Sequence, residues 1–268
     1  MTPIGDPDQR NAAHSGPVFL PWHRMYLRRF ERELQRVLDD DTFGLPYWNW
    51  AIDGQLPPDR QPKAPIWGAD AMGPGGEPVR EGAFRFDRSN PEDPENWRVR
   101  VFLTDESLIR LDSNRGLERT IGRDMPTLPK TEEVNDALAL ANYDTYPWSR
   151  RSRGSFRNKL EGWSRDKPLL HNRVHVWVGG DMGWGHSPND PVFFLHHANV
   201  DRIWAYWQSR STSGPYVPDQ NAPQGLFHHR IDDPMFPMES SDHDVTPKDM
   251  SAFPRDYTYD TYEDMKGF

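Results

Sequence analysis

Ten histidines are spread along a 268-residue chain that contains no cysteine, and a few of them have the spacing of metal ligands. His171 and His175 lie four residues apart in LHNRVHVWVGG, so on a helix their rings project from one face a turn apart and can grip one ion. His197, in NDPVFFLHHANVDRIW, follows on the next helical pattern and can complete a set of three. Imidazoles without thiolate or carboxylate suit zinc or copper, for which they are a shared borderline ligand. The same spacing also fits ordinary helix histidines, because such a pair arises by chance. His14 and His23, in HSGPVFLPWHR, are left open by spacing alone. His196 adjoins His197 but points about 100° away round a helix, so it is read as a packing or hydrogen-bonding residue. His186, His228, His229 and His243 fall in Pro- or Gly-rich stretches and are expected to be solvated.

Composition narrows the chemistry further. Without cysteine there is no disulfide framework, no thiolate nucleophile, no zinc-thiolate site and no iron–sulfur cluster. A formal net charge of −9 offers no basic stripe for a phosphate backbone, so nucleic acid is not an expected partner. No apolar run approaches the ~20 residues of a membrane span, and the first thirty residues lack the blocks of a secretory signal. Compartment stays open between the cytoplasm and secretion through a partner. With 35% hydrophobic residues but 11 Trp, 13 Phe and 9 Tyr, the core must lean on aromatics, and 26 Pro and 20 Gly imply long connections.

The elements that would position these histidines are helical. From Trp22 the chain sets Trp22, Tyr26, Phe30, Leu34 and Leu38 four apart, one apolar face of a helix with Pro21 near its first turn. Arg28, Glu31, Arg32 and Gln35 make the opposite, solvated face. Thr131 to Ala141 reads as a helix with Thr131 as N-cap. A further helical pattern precedes Gly179-Gly180, and another runs from Pro191 through Trp207. Residues 52–100 read as a long ordered loop with short strands, and 101–125 fit either helix or strand. No linker or repeat divides the chain, so residues 1–268 are read as a single domain.

These stretches together resemble the tyrosinase family. HSGPVFLPWHRMYLRRFE resembles its first copper motif, LHNRVHVWVGG and NDPVFFLHHANVDRIW its second, and PYWNW lies between them. The likeness is closest to the small bacterial tyrosinases. It implies a mainly α fold, a four-helix bundle holding a dicopper centre, with long Pro/Gly-rich loops and few short strands. Two copper ions, each held by three histidines, would bind O2 as co-substrate. His171, His175 and His197 correspond to the ligands of the second copper, and His14 and His23 to two of the three at the first. Phe193, one turn before His197, matches an aromatic that packs on a ligand histidine. Asp190 either caps its helix or orients a ligand imidazole from behind. Glu161 and Asn172 match a pair associated with a water that deprotonates the incoming phenol.

The resemblance implies ortho-hydroxylation of monophenols and oxidation of o-diphenols to o-quinones, the chemistry of melanin formation. Alternatives within the family are a catechol oxidase and an o-aminophenol oxidase; outside enzymes, the same centre serves as an oxygen carrier. Phenolic small molecules, and a small copper-delivery protein, are the implied partners. Tyr257-Thr258-Tyr259 resembles the tyrosine motif that closes the catalytic domain, so no C-terminal shielding domain is expected after it. The first copper's third ligand belongs on a helix upstream of His14. The expectation is therefore a chain truncated at its N-terminus, with that bundle helix missing; an inactive fragment lacking the ligand is the alternative.

Overall fold

The computed structural model describes residues 11–105, 108–164, 166–223, 226, 228–235, 245–251 and 257–265, and of residues 100–114 only the backbone. His243 lies outside the described residues. Regular structure is mainly helical: α1 (Phe19–Leu38), α2 (Trp50–Asp53), α3 (Thr131–Leu138), α4 (Phe156–Glu161), α5 (Leu170–Val178), α6 (Val192–Ser209) and α7 (Pro247–Ser251). One antiparallel hairpin, β1 (Arg98–Asp105) and β2 (Leu108–Gly116), occupies the stretch whose periodicity was ambiguous. Val99, Val101 and Phe102 are residue types that suit a strand, although the alternation from Arg98 ends in the apolar run Val101-Phe102-Leu103. The Pro-rich stretch before it holds α2, two short 3-10 turns and loops.

Burial falls off along α1. Phe19 through Met25 are buried on every side, Tyr26, Phe30 and Leu34 are half-buried, and Leu38 is exposed. The expected four-residue stripe therefore holds only in the first turns. Those turns also bury two polar residues, His23 and Arg24. Arg24 is tolerated there because its Nε donates to Asp201 Oδ1 at 2.6 Å and its guanidinium lies 3.6 Å over Trp204. Helix α3 stops at Leu138, three residues short of the sequence expectation. The pattern before Gly179 is two helices: Gly162, at φ 96°, ends α4 before α5 begins.

The chain divides into two compact units. The first comprises Trp48–Lys130 and Arg173–His196. Its aromatic centre is Trp48, Trp67 and Trp177, with ring centroids 5.2 to 6.2 Å apart. Gly179 and Gly180 turn the chain sharply after α5 at φ 64° and 53°, and a Cβ on either would stand 2.0 Å from Thr120 Oγ1 or from the Glu118 carbonyl oxygen. No other residue fits both the backbone angle and the space.

The second unit holds the chain up to Tyr47, Thr131–Asn172 and His197–Phe268. Val18, Trp22 and Met25 of α1 pack with Met235, Val245 and Met250 of α7 and its approach. Phe156 of α4 stacks on Trp207 of α6 at 4.5 Å. The tail is tied down as well, since the Tyr257 and Tyr259 hydroxyls both donate to Asp201 Oδ2, at 2.6 and 2.7 Å. No helix among the described residues is long and apolar enough to cross a membrane.

Candidate metal centre

In the second unit four imidazoles gather. His23 comes from the second turn of α1, His197 from α6, His171 from the start of α5, and His14 from the loop that leads into α1. His23 and His197 stack at 4.2 Å with 9° between their planes. His14 lies 4.8 Å from His23, His171 lies 4.8 Å from His197, and His14 and His171 are 6.2 Å apart. Phe19 packs at 4.8 Å against both His23 and His171. His23, His171 and His197 are buried.

His14 is held by its loop rather than by a helix. Asn11 Oδ1 accepts the Ala13 and His14 amides, both at 2.9 Å. Ser15 sits in the left-handed region at φ 61°, and its amide donates to Glu161 Oε1 at 2.6 Å. The Tyr143 hydroxyl donates to the Pro17 carbonyl at 2.6 Å. At Gly16 the chain passes so close to His229 that a Cβ would lie 2.7 Å from its Nδ1. His229 is only 1% exposed, so the expectation of a solvated loop histidine is corrected: its ring lies against the backbone at Gly16, and its carbonyl accepts the Tyr216 hydroxyl at 2.7 Å. His186 is also engaged, with Nε2 2.9 Å from Asp181 Oδ1.

In the first unit His175 lies 5.0 Å edge-on from His196 and 6.1 Å from Phe193. Along α5 it is one turn beyond His171, so the helix itself carries the pair on one face. Asp190 caps α6 by accepting the Val192 amide at 3.0 Å and pairs with buried Arg119 through two bonds of 2.7 Å. Arg119 also donates to the Met72 and Gly73 carbonyls. A charge so enclosed needs every one of these partners. No feature of the sequence marked Arg119 as Asp190's partner, since 71 residues separate them.

The donor set fits copper at the level of single atoms. His23 Nδ1 lies 2.8 Å from the Phe19 carbonyl, His171 Nδ1 3.2 Å from that of Glu161, and His175 Nδ1 2.7 Å from that of Met182. A carbonyl oxygen only accepts, so each Nδ1 carries a proton, and in the neutral ring Nε2 keeps the lone pair that binds a metal. Burial lowers the His175 pKa to about 4, against weaker opposing effects of the Met182 carbonyl and Asp190. The ring is thus neutral near pH 7, the form a metal requires.

Glu161 and Asn172 meet at His171: the Glu161 carbonyl and Asn172 Oδ1 both face its Nδ1, the latter at 3.1 Å. The Glu161 carboxylate is fully buried, with Oε2 2.9 Å from Arg157. Arg157 in turn grips Asp144 Oδ2 with Nε and Nη2, at 2.9 and 2.6 Å. Burial raises the Glu161 pKa, and Arg157 and the Ser15 amide oppose that shift.

Comparison with known proteins agrees with a histidine-held metal enzyme. The family described as the common central domain of tyrosinase matches residues 2–210. A tyrosinase of Streptomyces glaucescens is 41% identical over 96% of this chain and 84% of its own length. The grixazone synthase of Streptomyces griseus is 36% identical over 94% and 82%. Among solved structures, a polyphenol oxidase of Thermothelomyces thermophila superposes with a TM-score of 0.56 at 24% identity, covering 78% of this chain and 58% of that one. A tyrosinase of Burkholderia thailandensis does so at 0.53 and 18%, covering 88% and 60%. Those two likenesses establish the helical-bundle fold.

Histidines gathered in this fold are the mark of a type-3 copper protein. The chain belongs to the tyrosinase family: it is a polyphenol oxidase, an oxidoreductase of two copper ions that uses O2.

Proposed function

We propose that this enzyme both ortho-hydroxylates monophenols and oxidises o-diphenols to o-quinones, with the whole chain acting as one catalytic domain. His14 and His23 serve one copper, and His171, His175 and His197 the other. The observation that carries the assignment is the set of Nδ1-to-carbonyl contacts at His23, His171 and His175, which turn Nε2 outward as a ligand. When bound, the copper pair supplies the electron transfer between phenol and O2.

The protein's own part is geometry and proton handling. Neutral, buried imidazoles hold either copper charge state without adding charge, and the buried shell excludes bulk water. Phe193 packs toward His175, and Asp190 sets the start of the helix that carries His197. Hydroxylation needs phenolate, and a phenol has a pKa near ~10. A water held between Glu161 and Asn172 beside His171 accepts that proton in this reading. Four Streptomyces relatives named tyrosinase, at 39 to 41% identity, support it. Steady-state rates on tyrosine, DOPA and o-aminophenol test it: turnover of tyrosine is expected, and catechol oxidation with no tyrosine turnover would sink the hydroxylase claim.

A second reading, an o-aminophenol oxidase, is favoured by the likeness to the grixazone synthase, and the same three substrates separate it. Copper delivery by a small partner protein also belongs to the proposal, supported by how little of His23, His171 and His197 reaches solvent. Loading the purified apo chain with copper salt alone checks this; full, fast uptake would remove the need for a partner.

A further inference from the structure

Glu161 bonds to a proposed ligand of one copper and to the residue after a proposed ligand of the other, by different atoms. Its backbone carbonyl takes the Nδ1 proton of His171, while its side-chain Oε1 takes the amide of Ser15, the residue after His14. These contacts span 10 and 146 residues of chain. We infer that the Glu161 side chain is a positioning residue for His14, a clamp that fixes the ligand-bearing loop against the same residue that orients His171.

Three observations support the clamp. Ser15 holds a left-handed φ of 61°, a conformation that costs a non-glycine residue on the order of 1 kcal/mol and persists only where its surroundings over-determine it. The amides of 13 and 14 are taken by Asn11 within the loop, so the Glu161 bond is the one that reaches from that run of amides to a distant element. The carboxylate is itself immobilised: Arg157 holds Oε2 and is anchored in turn by Asp144, which also accepts the Ser155 hydroxyl at 2.8 Å. All three charged side chains are 0% exposed. A merely solvated carboxylate could not set a backbone position to a fraction of an ångström, whereas this one is locked at both oxygens.

The inference rests on the reading of His14 as a copper ligand, and the test separates the two. The full chain is saturated with copper and then stripped by a chelator, with copper per chain followed in time. E161A and E161D, the latter one methylene too short to reach Ser15, are expected to release one copper equivalent about 10–100-fold faster than the unsubstituted protein, the range for loss of a group that orients a ligand. E161Q keeps one acceptor oxygen for the Ser15 amide but turns its NH2 on Arg157, so it is expected to release copper more slowly than E161D yet faster than the unsubstituted protein. Far-UV circular dichroism and the unfolding midpoint of each apo variant identify a failure to fold; should E161A fail, the contrast of E161D with E161Q still decides. Unchanged release from E161D, or equally fast release from E161Q and E161D, overturns the clamp. H14A is run beside them. If H14A loses one equivalent while E161D loses none, only the clamp fails; if H14A keeps the unsubstituted copper content, the ligand reading fails and the clamp with it.

Discussion

Each unit uses a buried carboxylate to fix the backbone around a histidine, but the two do so in different surroundings. In the first, Asp181 accepts the Glu118 amide at 2.8 Å and pairs with Arg115 and His186, steadying the turn whose Met182 carbonyl holds His175. In the second, Glu161 accepts the Ser15 amide and pairs with Arg157, steadying the loop that carries His14. The Asp181 partners are partly open to solvent, with Arg115 at 29% and His186 at 27%, whereas Arg157 and Asp144 are fully enclosed. Partly exposed charges are screened and individually weak, while enclosed ones are costly to separate. The same device is therefore cheaper to break in the first unit than in the second.

The sharpest way to break the comparison is at the proposed ligands. H175A, in the first unit, and H23A, in the second, are each expected to lower steady-state oxidation by more than roughly 100-fold, beyond the range for a group that only orients a ligand. Equal loss from both would show that the units contribute alike to the chemistry. Next comes R157M, which leaves Asp144 and Glu161 without their shared cation. Urea denaturation of the apo chain should show about 3–5 kcal/mol of lost stability.

D181N probes the exposed counterpart and should cost less, about 1–3 kcal/mol near neutral pH. It also has a pH signature. Burial pushes the Asp181 carboxyl up, but hydrogen bonds from His186, Arg115 and the Glu118 amide outweigh it and hold the group below its ordinary range. Its folded pKa thus lies below the unfolded value near ~3.9. The stabilisation is complete above that unfolded value and is lost as pH falls through the folded one. Urea midpoints of the unsubstituted chain and D181N should therefore converge as the pH drops below about 4; parallel curves would remove Asp181 as a source of acid lability. The smallest expected effect is Y143F, which deletes the hydroxyl bond to the Pro17 carbonyl. About 1 kcal/mol of stability should go with it, with no change in the pH profile.

The parts of the site that were legible in the sequence are those written locally. The four-residue step from His171 to His175, the Pro191 that opens α6, and the Gly179-Gly180 stop after α5 are short-range signals with short-range causes. The hairpin at 98–116 was not legible as such, because the alternation from Arg98 runs into the consecutive apolar residues Val101-Phe102-Leu103 and the register is irregular between Val99 and Val101. Nor was the burial of Arg24, which depends on Asp201, or of His229, which depends on how the chain passes Gly16. A loop histidine with no periodicity around it carries no sign of its own burial.

By itself the sequence determined which donors are available, imidazoles with no thiolate, and the helices that space His171, His175 and His197, because helical geometry converts residue number into direction. Only the tertiary structure decided where His14 stands, which nitrogen each anchored ring turns outward, and which carboxylates are locked. Those outcomes hang on single hydrogen bonds across distant segments, such as Ser15 to Glu161 and Arg119 to Asp190. Residues so far apart in the chain are brought within bonding distance by packing, and no local pattern records which of them will meet.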